Sequence, residues 1–175
     1  MSKGIDIPID SLRTIFQTYL WKDKNRSLYG RVFRNERFAD FGSKVSPEAY
    51  ISANEPAKEV LKDYRFDAQC FFDVQPNDTV NTHIHTSDVW LCFMVNLQAL
   101  YPDLTRTEAT EKVCVDIEKL LIQSDFVYEG LVRGYQGFTG YDWGEDRATQ
   151  AKADMSPHYL LRFNLKVSYS ISNCL

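Results

Sequence analysis

The plainest pattern in the chain is the alternation in RFDAQCFFDV, residues 65–74. Phe66, Ala68, Cys70, Phe72 and Val74 fall on one side, and Arg65, Asp67, Gln69 and Asp73 on the other. A period of two over this length predicts a half-buried strand with one wet face. QPNDTVN (75–81) supplies turn residues. DVWLCFMVNLQAL (88–100) then places Val89, Leu91, Phe93, Val95 and Leu97 on one side and Trp90, Cys92 and Met94 on the other. Apolar residues on both sides predict a central, doubly covered strand. HYLLRFNLKVSYSI (158–171) alternates from Tyr159 to Ile171, with Arg162, Asn164, Lys166, Ser168 and Ser170 opposite, which predicts a long strand with one dry side.

Helical spacing appears twice. Leu12, Ile15, Phe16, Tyr19 and Leu20 predict a helix over 10–21, with Asp10 or Ser11 as its cap. In TRTEATEKVCVDIEKLLIQS (105–124), Thr105 and Glu108 have the spacing of a capping box, and Ala109, Val113, Ile117, Leu120 and Leu121 form one stripe. FVYEGLVRGYQGF (126–138) reads as a strand bulged at its glycines. SLYGRVFRNERF, beginning at Ser27, reads as a short strand or hairpin arm. SKVSPEAYISANEP, beginning at Ser43, reads as loop, since Pro47 and Pro56 argue against a central strand. Residues 138–157 lack periodicity, and loops of that length inside a compact domain are usually functional or disordered. The expected fold is α+β: one domain over 1–175, with a mostly antiparallel sheet of about four to six strands and two helices packed on it. Residues 22–60 form an extended arm or loop region and 138–157 a long loop.

Composition narrows the function. A chain of 175 residues suits a single core. The 11 Phe, 10 Tyr and 3 Trp favour sheets and contact surfaces. The net charge of −4 and the absence of a basic run argue against sequence-specific nucleic-acid binding. No apolar run reaches the length of a membrane span, and MSKGIDIPID lacks a signal-peptide pattern, so synthesis in the cytoplasm is expected. Cys70, Cys92, Cys114 and Cys174 form no CxxC pair and read as reduced, mostly buried thiols.

Candidate chemistry is sparse. His83 and His85 at i, i+2 on a strand would point two imidazoles to one side, with Asp88 near in sequence and His158 near in space if the last strand pairs alongside. The Thr, Asn, Ser and Asp around them also fit a solvated strand end. Asp67 and Asp73 read as solvated carboxylates. There is no G-x-S-x-G, no Gly-rich phosphate loop and no Cys beside a sequence-local His. No cofactor is expected. The long loop carries Tyr141, Asp142, Trp143, Glu145, Asp146 and Arg147, aromatics beside charges as in a contact hot spot. Arg34 and Tyr50 in the arm region are weaker candidates of the same kind.

The order of elements, with DVWLCFMVNLQAL, the amphipathic helix, FVYEGLVRGYQGFTGYD and YLLRFNLKVSYSI, resembles the tail-terminator, tail-completion and neck-ring proteins of tailed bacteriophages, over most of 60–171. YGRVFRNERF and SPEAYISANE are similar to the extended arm of neck or tail proteins of phages infecting Bacteroidales, the crAss-like group among them. The resemblance implies a non-enzymatic virion subunit that forms a hexameric or dodecameric ring at the head-proximal end of the tail. Its partners would be further copies of itself and other neck and tail proteins, with DNA passing through the ring. A metal-dependent enzyme or small-ligand binder using His83, His85 and Asp88 is the principal alternative, and a generic protein-binding module is another.

Overall fold

A computed structural model describes residues 4–39, 42–49, 58–59, 65–81, 84–138 and 158–170. The elements are α1 (Asp6–Tyr19), β1 (Arg26–Ala39), β2 (Gly42–Ala49), β3 (Lys58–Glu59), β4 (Ala68–Asn81), β5 (Ile84–Asn96), α2 (Leu97–Leu100), α3 (Arg106–Leu121), β6 (Val127–Arg133), a 3₁₀ turn (Tyr135–Phe138) and β7 (His158–Ser170). The fold is α+β. Seven strands form one sheet in the order β3-β2-β1-β4-β5-β7-β6, and β3 contributes only two residues. Every neighbouring pair is antiparallel except β1 with β4.

One face of the sheet carries the main core. Cys70 and Phe72 of β4, Leu91 and Phe93 of β5, and Leu161 and Phe163 of β7 meet Ile9, Leu12 and Phe16 of α1 and Val113, Ile117 and Leu121 of α3. Fully burying one such Leu, Ile or Phe side chain stabilises by about 1.5–3 kcal/mol, so two amphipathic helices on a pleated apolar surface suffice to close this layer. Phe93 sits at its centre, with ring centroids 5.7 Å from Phe16, 6.2 Å from Trp21 and 6.1 Å from Phe163. The helix ends are tied together by Trp21, whose Nε1 donates to the Tyr101 hydroxyl at 2.6 Å; that hydroxyl in turn donates to Asp116 of α3.

Several expectations are corrected. α1 starts at Asp6, with Pro8 in its first turn, where a missing N–H breaks no helical bond. Asp10 therefore lies inside the helix, and Ile5 at the N-cap makes no side-chain bond. β4 does not stop at the expected turn. It runs on to Asn81 through an irregularity between Val74 and Asp78, and Pro76 falls inside it, where no ladder donor is needed. The segment expected as loop contains β2. Pro47 is tolerated because β3 pairs only with Glu48 and Ala49, leaving the outer edge at Pro47 without a described neighbour. The second face of β4 is not wet. Phe71 packs there with Cys92, Met94, Leu160, Val32 and Ala49, and Gln69 and Asp73 are buried beside them.

Other expectations hold, with some bounds corrected. β5 is central and buried on both faces but ends at Asn96, and Leu97–Leu100, expected in the strand, form α2, capped by the Asn96 side chain; β6 is bulged between Tyr128 and Gly130 but ends at Arg133, with Tyr135–Phe138 in the 3₁₀ turn; β7 alternates as read. The capping box is formed: the Thr105 backbone N–H donates to Glu108 at 2.9 Å, and the Glu108 N–H donates to the Thr105 hydroxyl at 3.4 Å. Thr105→Ala should cost about 1 kcal/mol, read as a lower denaturation midpoint. A pH signature accompanies it. Hydrogen bonds from Thr105 hold the Glu108 carboxyl below its ordinary 4.5, and the Arg133 guanidinium does the same for Glu111. Both groups are lowered by folding, so their contribution is full above pH 4.5 and fades as pH falls through their folded values. Denaturation midpoints taken across acid pH should show this fall, and Glu108→Gln should flatten part of it.

Candidate functional site

The histidines are separated by the strand register. His85 of β5 is opposite Tyr169, and their rings stack at 5.6 Å. His158 of β7 is opposite Asn96, at the far end of the same ladder. At about 3.3 Å per residue, the two are about 36 Å apart, so they cannot share an ion. Asp88 lies three residues from His85 on one strand and therefore points to the other face. Its carboxylate is 3.7 Å from Lys166 Nζ, which also donates to Glu129 at 2.6 Å. His83 lies outside the described residues. Among those described, no group of three or more His, Cys, Asp or Glu side chains is placed to hold a metal.

Among the described residues, the carboxylates and thiols that the sequence singled out are placed apart and serve the fold. Asp67, expected in solvent, is partly exposed, and its carboxylate also accepts a hydrogen bond from the Asn25 backbone N–H at 3.0 Å, tying the start of β1 to β4. Asp73, expected to be solvated, is 1% exposed and registered between Val32 and Trp90. A carboxylate so deep is held by partners rather than by water. Burial pushes the Cys70 thiol up to about 12 and raises Cys114 as well. At neutral pH neither is a thiolate nucleophile.

The expected contact residues Tyr50, Tyr141, Asp142, Trp143, Glu145, Asp146 and Arg147 lie outside the described residues. Arg34 is on β1, registered opposite Pro47. Its surroundings are informative. β1 leaves β4 after the pair Val32–Asp73, yet continues beside β2 to Ala39–Gly42. From Phe33 to Ala39, β1 and β2 form a two-stranded ribbon with no further described strand at either edge until Glu48 meets β3. Such a ribbon is marginal in water by itself. Arg31, at its root, lies over the Phe33 ring at 4.9 Å and 3.7 Å from Asp6 of α1.

The opposite end of the sheet was missed by pattern reading. β6 is the last strand, and its outer edge has no described neighbour. Beside it Ile122 is 84% exposed, Val127 62% and Tyr128 43%. Glu118, Leu121, Ile122, Phe126 and Tyr128 line a groove of about 230 Å³ between the end of α3 and the start of β6. One signal was available: Leu120-Leu121-Ile122 carries the apolar run past the width of the helix stripe. Among the described residues, no helix is long and apolar enough to cross a membrane. No family model matches the chain, and neither a curated protein nor a solved structure matches it.

Proposed function

We propose that this chain is a structural virion protein: a subunit of a ring in the neck or tail of a tailed phage, joining or terminating the tail tube at its head-proximal end. The observation that carries this reading is the sheet's two unlike ends. Among the described residues, one end of the sheet is the β1–β2 hairpin with the two-residue β3 beside it; the other is β6, whose outer edge has no described neighbour, beside a largely apolar groove. A ring closed by rotation uses two different surfaces on each copy, head to tail. The sequence resemblance supplies the setting, with other neck and tail proteins as neighbours above and below and DNA passing through the lumen. Such a subunit needs a rigid scaffold and reaching contacts rather than an active site. The deciding experiment is the mass of the intact, metal-replete assembly, with a metal-free species of six or twelve copies expected.

A further inference from the structure

We propose that Trp21 and Tyr101 form an internal redox pair: an oxidising equivalent that reaches the Trp21 indole passes to the Tyr101 phenol, whose proton moves to Asp116. The proposal stands apart from the ring reading, since a single chain carries every group it uses.

The geometry brings two oxidisable rings into direct contact. Trp21 follows α1 and has φ 45°, the left-handed region that a bulky residue rarely occupies. Its ring meets Phe93 of the core edge-on at 6.2 Å, and its Nε1 donates to the Tyr101 hydroxyl at 2.6 Å. That hydroxyl donates onward to Asp116 of α3, and Asp116 also accepts from Lys112 Nζ. The Asp116 side chain is only 18% exposed, so bulk water competes little for the bond.

The chemistry follows from the order of the bonds. Indole and phenol rings are among the side chains that give up a single electron most readily. Burial and the Asp116 carboxylate keep the Tyr101 phenol protonated at neutral pH. A phenol that loses an electron must also shed its proton, and Asp116 already holds that proton in a hydrogen bond. The step balances. A one-electron oxidant of the azidyl or peroxyl radical class takes an electron from Trp21. The indole radical cation then takes one electron from Tyr101 and returns to neutral indole. The phenol proton goes to the carboxylate, leaving a neutral phenoxyl and a protonated Asp116. A small thiol that gives up one hydrogen atom restores the phenol, and Asp116 releases its proton to water. Lys112 Nζ lies 5.7 Å over the Tyr101 ring, and a neutral phenoxyl sets no positive charge against it. Trp90 is placed differently. The Arg162 guanidinium covers its ring at 4.0 Å, so losing an electron there would set a positive ring against a fixed cation.

The test is pulse radiolysis of the full-length protein carrying Trp90→Phe and Trp143→Phe, so that azidyl radicals meet Trp21 as the single indole. The indolyl absorbance should decay as phenoxyl absorbance grows, at a rate independent of protein concentration. Asp116→Asn should slow this conversion on the order of a hundredfold by removing the base. Tyr101→Phe should remove it. Tyr128→Phe, whose hydroxyl meets Glu118 instead, should change nothing. Heavy water should slow the conversion in the two-tryptophan background itself, a reading that no altered folding of a variant can imitate. No conversion in that background overturns the proposal, as does a full rate in Tyr101→Phe. A rate that rises with protein concentration overturns it too, because the electron then comes from another molecule. An equal rate in heavy water overturns the role of Asp116.

Discussion

Phe93→Ala should lower the stability of the subunit by about 3–5 kcal/mol. The ring is fully buried on the central strand and makes edge contacts with Phe16 from α1, Trp21 beyond it, and Phe163 on β7. Truncation removes a side chain of β5 that touches both α1 and β7. The walls of the space left are Phe16, Trp21 and Phe163, which are held by separate parts of the chain, so only partial collapse is expected. Domains of this size are stable by about 5–15 kcal/mol in total, so the variant should be marginal at physiological temperature. Urea denaturation should show a lower midpoint at an unchanged slope. Ile122→Ala, at an exposed position, should leave that midpoint within about 0.5 kcal/mol of wild type.

Arg26→Met should cost about 2 kcal/mol, a large effect for a partly exposed residue. The last carbonyls of any helix lack intrahelical donors, and α1 has no basic residue in its last turn. Arg26, at the start of β1, supplies both what is missing. Its guanidinium donates to the Phe16 carbonyl at 3.1 Å, to that of Gln17 at 3.3 Å, and to that of Leu20. It also places a positive charge at the negative end of the helix dipole. Charge-assisted hydrogen bonds contribute about 1.5–3 kcal/mol, and methionine keeps the aliphatic packing while removing them. Arg26→Lys should recover only part, because an ammonium cannot fork across three carbonyls. The comparison of the three proteins in one denaturation series checks this.

How much of this was legible follows from which contacts are local. The capping box at Thr105 and Glu108, the stripe of α3 and the alternation of β5 and β7 are written in neighbouring residues, and all were read correctly. The burial of Asp73 and Gln69 was not. Their polar character predicts water, and only the pairing of β4 with β1 on one side and β5 on the other places them beside Phe71 and Val32. Pro47 and Pro76 misled for a related reason: each sits where the ladder makes no demand on its nitrogen, a fact of register rather than of sequence. The two histidines looked like a pair with His158 until the register put the last at the far end of the ladder. The aromatic loop residues that suggested a contact surface lie outside the described residues. The groove beside β6 left only the apolar run Leu120-Leu121-Ile122 as a signal in the sequence, because it forms between the end of a helix and the start of a strand.

The central claim is that this is a structural ring subunit built to bind its own kind, and native mass spectrometry of the metal-replete protein across a concentration series tests it most directly. The account predicts a closed species of six or twelve chains, free of metal, growing at the expense of monomer as concentration rises. A monomer at every concentration, carrying one tightly held metal per chain, would contradict it.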